Sequence, residues 1–254
     1  MFLWTLSGVT TKKRLVYPYG FDEAKMEARH CKTTDDLIEM LGQEIVSGQR
    51  PPRSKFLPEV ELATTYGLSR SAVREALKFL AEKGLLSSRR RVGTLVRPKS
   101  EWNILDPKVL GWIGAQPHDP ELEASILEIR LAIEPEAAAL AAARANLPEI
   151  AAIGATVDAM RDAATRDDFL EADANFHQQV VAATHNPAFR QFSKSLRAAI
   201  EHVLLITADA VEDLSPALRI HMEVLQAIRQ QDSDLARQKM REIILLAIDD
   251  LRNR

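Results

Sequence analysis

The chain has 254 residues, 46% hydrophobic and 27% charged, with a net charge of −3 and one cysteine. This composition suits one or two globular domains and excludes a disulfide framework; no apolar run approaches the ~20 residues of a bilayer span. The charge is uneven, with 13 Lys/Arg against 8 Asp/Glu in residues 32–100 and 15 against 25 in residues 101–254. Such an asymmetry suits a polyanion-binding head on an acidic body.

Residues 1–32 show no periodicity and read as a poorly ordered extension. Its apolar start, Met1–Val9, precedes Lys12, Lys13 and Arg14. That order is the reverse of a signal peptide, and with the lone Cys31 it points to a reducing cytoplasm.

Residues 33–98 read as one domain. Thr34 to Ser47 forms a helix, capped by Thr34, with Leu37, Ile38, Leu41 and Ile45 on one face. Gly48 ends it and Pro51-Pro52 forces an extended loop. Glu59 to Thr65 forms a second, short helix with Val60, Leu62 and Ala63 available for burial. Gly67 closes that helix at positive φ, and Ser69 caps the next. In the third helix Val73, Ala76, Leu77 and Leu80 face a core, while Arg70, Ser71 and Arg74 lie at its start on the other side. This is a helix-turn-helix, whose second helix places its first side chains in the DNA major groove. From Gly84 to Arg97 the chain reads as two short strands around a turn, a wing with Arg89, Arg90 and Arg91 near its tip. A helix pair around a glycine is common in proteins that only pack helices. A helix, a turn, a basic helix and a basic wing in about 40 residues together form a nucleic-acid signature.

Residues 99–106 read as a linker and residues 107–254 as an all-helical bundle. A short helix, Pro107 to Ala115, precedes longer ones punctuated at Asn146-Leu147-Pro148, Thr165, Asn186-Pro187, Ser215-Pro216 and Asp232. The fold class is therefore mainly α, an N-terminal winged helix-turn-helix followed by a C-terminal helical bundle. No Walker loop, dinucleotide fingerprint or nucleophile elbow occurs. Asp173 and His177, four apart, share a helix face; they suit a divalent metal, although such a spacing is more often an ordinary polar pair. Arg130 and Glu134 are likewise four apart, which a salt bridge explains as well as a ligand clamp does.

Several runs resemble the GntR family of bacterial transcription regulators. They are Gly48, Leu57-Pro58, Glu61-Leu62-Ala63, Leu68-Ser69-Arg70, Val73-Arg74-Glu75-Ala76-Leu77, Gly84-Leu85 and Gly93-Thr94. Residues 104–251 resemble the FCD effector domain of the family's FadR branch. There the matches are Glu128-x-Arg130-x-x-x-Glu134-Pro135, Asp173-x-x-Phe176-His177, Asn186-Pro187 and His221 in His-x-x-x-Leu-x-Ala-Ile-Arg. The linker region, Trp102 to Trp112, is similar to regulators of sugar-acid (galactonate- or gluconate-type) catabolism.

The resemblance implies a homodimer that binds a two-half-site operator in double-stranded DNA. It implies DNA contacts from Arg70, Ser71 and Arg74, with Gly93-Thr94 at the wing tip near the minor groove. It further implies a divalent metal, zinc by preference, on Asp173, His177 and His221, and a small carboxylate effector on Arg130, Glu134 and Asn186. Two departures stand out. The family pattern Leu-Pro-Ser-Glu-Arg-Glu-Leu is here Leu57-Pro58-Glu59-Val60-Glu61-Leu62, one residue shorter, with Val60 where a phosphate-contacting arginine often stands. Ile243 occupies the usual place of a fourth, histidine, metal ligand; water, His202 or the effector's carboxylate would fill that gap. The expected function is a transcription regulator, a repressor by preference, and not an enzyme. The rival readings are a metal-dependent enzyme acting on an organic acid and an effector-free architectural DNA binder.

Overall fold

The structure, a computed structural model, describes residues 31–89, 91–116, 119–207 and 213–252. Most of the 1–32 extension, and Arg90 of the wing triplet, lie outside the described residues. The chain divides into two compact units, one ending at Trp102 and the other starting at Asn103.

In the first unit α1 spans Thr34–Val46. Its cap is Thr33 rather than Thr34: the Thr33 hydroxyl accepts from the Asp36 amide, and the Asp36 carboxylate accepts from the Thr33 amide. This reciprocal box satisfies two orphan donors, which a cap at Thr34 would not. The sequence reading misses it because Thr33 and Thr34 are adjacent and chemically alike. Leu37, Leu41 and Ile45 are buried on one face.

Helix α2, Glu59–Tyr66, ends at Gly67 with φ 69°. Leu62 and Tyr66 are its buried residues, whereas Val60 is exposed. Pro58 stands at the N-cap and provides no side-chain hydrogen bond. Counted back from Leu62 without a gap, Phe56-Leu57-Pro58 falls on the Leu-Pro-Ser of the family pattern. Phe56 is buried, 2% exposed, as the leucine of such a pattern would be. No residue is missing, then; what the chain lacks is the serine cap.

Helix α3, Arg70–Glu82, is capped by the Ser69 hydroxyl and buries Val73, Ala76, Leu77 and Leu80. Strands β1, Leu86–Arg89, and β2, Gly93–Val96, pair antiparallel from Leu86 opposite Val96 to Arg89 opposite Gly93. The segment before α2 runs along the other side of β2, where the Phe56 amide donates to the Thr94 carbonyl at 2.9 Å. Gly93 is required here: its φ is 101°, and a Cβ on it would lie 2.9 Å from Lys55 Cε.

The second unit is helical throughout its described residues. Its helices are α4 (Pro107–Gly114), α5 (Pro120–Arg144), α6 (Leu147–Arg161), α7 (Arg166–Ala182), α8 (Pro187–Thr207), α9 (Ser215–Arg229) and α10 (Ser233–Arg252). Asn146 and Thr165 cap α6 and α7 through boxes with Glu149 and Asp168. Helix α5 packs against α7, α8, α9 and α10. Its run of buried alanines, Ala137, Ala138, Ala139, Ala141 and Ala142, leaves room for close approach on more than one side. Ala137 joins Ala174, Val181, Leu196 and Ile200 in a core that ties α5, α7 and α8 together. A buried cluster of ionisable groups interrupts this apolar packing.

Candidate functional site

Each unit carries candidate residues, and their environments differ. In the first unit Arg70, Ser71 and Arg74 are exposed at the start of α3, opposite its buried face. Arg89 and Arg91 are exposed beside the wing turn, which Arg91 enters at φ 67°. Gly93 and Thr94 are half-buried on β2. Lys55, exposed, lines a groove with Arg89, Arg91, Gly93 and Thr94. Sequence reasoning passed over Lys55, whose signal is its antiparallel bridge to Leu95 and thus its place beside the wing. Arg74 does not stand alone: its Nε and one terminal nitrogen donate to the Glu59 carboxylate at 2.9–3.3 Å.

In the second unit the four-residue spacings of α5 and α7 bring four predicted side chains together, and α9 adds a fifth. Arg130 donates to Glu134 along α5 at 2.5 Å. The other Glu134 oxygen faces Nδ1 of His177 on α7. His177 Nε2 lies 3.2 Å from Asp173 Oδ1, and His221 Nε2 on α9 lies 3.7 Å from the same oxygen. Phe176, fully buried, stacks edge-on against both imidazoles and holds them about 5.5 Å apart between ring centroids. Arg130, Glu134, Asp173, His177 and His221 are all at most 5% exposed.

Burial by itself would neutralise these groups, but their mutual charges offset it. Glu134 would be raised by desolvation, yet the Arg130 guanidinium and His177 bring it down to about 2. Asp173, also penalised by burial, is held well below the usual carboxylate range by the two histidines beside it. Desolvation would lower His177, but Glu134 and Asp173 raise it to about 9.

The cluster fits a divalent metal. Asp173, His177 and His221 each offer one ligand atom, and these atoms all lie within 4.8 Å of one another. Asp173 Oδ1 and His221 Nε2 are buried without a hydrogen-bond partner, an expensive state that a cation would relieve. His221 Nδ1 lies 2.7 Å from the Ala217 carbonyl. A carbonyl only accepts, so Nδ1 carries the proton and Nε2 keeps its lone pair for a ligand bond. The Glu134 carboxylate is the ion-pair partner of His177 on its Nδ1 side.

A cavity of about 120 Å³ opens beside this cluster. Arg130, Asp173 and His221 reach it from one set of helices, and Arg166, Asp213 and Asp250 add charge to a largely apolar lining. Ile243, the place where the resemblance implies a fourth ligand, lines the same cavity. Two predicted effector contacts have other engagements. Glu134 is absent from the described lining and is held between Arg130 and His177. Asn186 caps α8 by accepting from the Ala188 amide, and it too is absent from that lining. His202 is buried on α8, a Cβ on Gly114 falling 3.3 Å from its Nδ1, and is not among the three candidate metal-holding residues that lie together. His185 pairs with Glu149 at 2.9 Å.

The chain's similarities to known proteins cover both units. Residues 33–96 match the gntR family of bacterial regulatory proteins, and residues 125–245 match the FCD domain. The galactonate operon transcriptional repressor of Escherichia coli is 34% identical over 81% of this chain and 90% of its own length. The transcriptional regulator Mce2R of Mycobacterium tuberculosis is 30% identical over 84% of this chain and 89% of its own. Among solved structures, Lar, which controls expression of the agr system of Listeria monocytogenes, shares the fold. Its TM-score is 0.64 at 18% identity, over 88% of this chain and 99% of Lar. These relatives are transcription regulators and not enzymes, so the enzyme reading of the buried cluster is set aside. With both signature regions in place and in order, the chain belongs to the GntR family of transcription regulators, of the type that carries an FCD domain.

Proposed function

We propose that the protein is a homodimeric cytoplasmic repressor of sugar-acid catabolism genes, released from its operator by a small carboxylate bound in the helical unit. The α3 start and the wing supply the DNA face: Arg70, Ser71 and Arg74 for the major groove, Arg89 to Arg91 with Gly93-Thr94 for the backbone and minor groove. Asp173, His177 and His221 hold a divalent metal, of which zinc suits the mixed nitrogen and oxygen donors. The effector's carboxylate lies against Arg130 and takes the coordination position that Ile243 leaves unfilled.

One observation carries this reading. A buried group of candidate ligand atoms without hydrogen bonds sits at the wall of a cavity that also contains an arginine. A protein that used this bundle only to dimerise would bury such atoms at a cost and gain nothing. The identity of one relative as a galactonate operon repressor favours a polyhydroxy acid.

The test is a melting-temperature screen of sugar acids and simple carboxylates, with zinc and with chelator. Gel shifts on promoter fragments from the gene's own neighbourhood follow. An acid that raises the melting temperature in zinc and weakens a promoter complex supports the proposal. Promoter binding that no acid alters supports instead the effector-free architectural reading.

A further inference from the structure

Arg74 is exposed on a helix assigned to DNA, yet it is already engaged. Its Nε lies 3.0 Å from Glu59 Oε2 and 3.3 Å from Oε1, and its NH2 lies 2.9 Å from Oε2. The carboxylate grips the side of the guanidinium. One hydrogen on the engaged terminal nitrogen and one on the other remain side by side on the outer edge. That edge is the fork that donates two parallel bonds to guanine O6 and N7.

Both ends of the pair are mounted on regular structure. Glu59 is the first residue of α2 and Arg74 lies in the second turn of α3. The side chains are 37% and 70% exposed, and a pair so exposed contributes little to folding stability. Its consequence is orientation. A free arginine side chain has many rotamers and is drawn to any phosphate; one pinned along its side points in a single direction.

The surroundings sharpen this. Glu59 lines the same groove as Lys55, Arg89 and Arg91, so it is a carboxylate among cations on the face assigned to DNA. Paired with Arg74 it is neutralised. If Arg74 swung away to a phosphate, Glu59 would face the polyanion uncompensated. The next residue, Val60, is exposed and apolar, so it offers no charge to take Arg74's place.

We propose that Glu59 is a positioning residue for operator reading: it holds Arg74 side-on, aims its outer edge at a base pair and penalises the escape of Arg74 to the backbone. The consequence falls on specificity rather than on total affinity. Without the carboxylate, Arg74 becomes one more mobile cation, which strengthens sequence-independent binding and weakens discrimination. This rests on the reading of α3 as the DNA-reading helix.

The test uses the full-length chain and a duplex that the wild-type protein selects from a random pool, measured by fluorescence anisotropy over a salt series. Arg74→Ala first locates the base pair whose substitution no longer matters. At that base pair Glu59→Gln and Glu59→Ala are expected to lose about tenfold in discrimination, the scale of one bidentate contact. Binding to a scrambled duplex is expected to be equal or tighter, with a steeper salt dependence. Retained discrimination at that base pair overturns the proposal. So does an equal loss on all duplexes with a lowered melting temperature, which assigns Glu59 a structural role. An equal gain on all duplexes also overturns it, since Glu59 then merely repels DNA. If the wild-type protein selects no duplex at all, the reading of α3 fails and takes this one with it. If Arg74→Ala alters recognition but Glu59→Gln does not, only this one fails.

Discussion

Two arginine–glutamate pairs, one in each unit, are alike in chemistry and nearly alike in length, and they behave oppositely. Arg74 and Glu59 meet at 2.9 Å with side chains 70% and 37% exposed. Arg130 and Glu134 meet at 2.5 Å with side chains 3% and 2% exposed. Water reaches the first pair from outside, so it adds little to folding stability while the outer edge of Arg74 stays open to DNA. Nothing competes for the second, and Glu134 has His177 on its other oxygen. The same two residue types thus make an open contact at the surface and a fixed scaffold inside. Desolvation separates the two cases.

The widest separation between the units should come from salt. Raising it from 50 to 200 mM should weaken promoter binding by about 10³-fold or more for six or more phosphate contacts. The unfolding of the helical unit, followed by its own melting transition, should hardly move, because salt screens buried ion pairs far less than exposed ones. Next in size is Glu134→Ala, which leaves Arg130 and His177 without their buried acceptor. It should cost about 3–5 kcal/mol in urea unfolding, the scale for breaking a buried pair from one side. A loss below 1 kcal/mol would mean that water reaches the cluster and that the contrast with Arg74 is overstated.

Arg74→Ala should reduce operator affinity by about ten- to a hundredfold in gel shifts while the melting temperature stays put. Unchanged affinity would remove α3 from the reading surface. Ile243→His, which places an imidazole at the open side of the metal position, should tighten zinc about tenfold or more in competition with a chelating dye. Looser zinc would show that the cavity wall there lies too far from the ligands. Thr33→Ala is the smallest, about 1 kcal/mol from the loss of the α1 capping box, with no effect on zinc or carboxylate binding.

Legibility in the sequence followed the distance between the residues that matter. The helix-turn-helix and wing are built from contiguous residues, so Gly67, Ser69 and the buried face of α3 could be read locally. The side of α2 was harder: with eight residues and two buried, the helix has too short a pattern to show that Val60 faces outward. The register before α2 looked like a deletion because Leu57-Pro58 imitates the expected pair. Only the burial of Phe56 shows which residue fills the core position. In the helical unit the pairs at spacing four, Arg130 with Glu134 and Asp173 with His177, were plain as pairs but not as one cluster.

What the order of amino acids determined by itself is everything that depends on neighbours a few positions apart: helix starts and stops, the exposed basic end of α3, and the membership of the family through its contiguous motifs. Tertiary structure alone decided which distant side chains share a desolvated space. It turned Glu134 toward His177, set Ile243 in the wall of the same cavity as Asp173 and His221, and returned Arg74 to Glu59, fifteen residues back. The physical reason is that a hydrogen bond along a helix follows from its pitch. One between helices depends on how whole faces pack, and that is a sum over every buried residue.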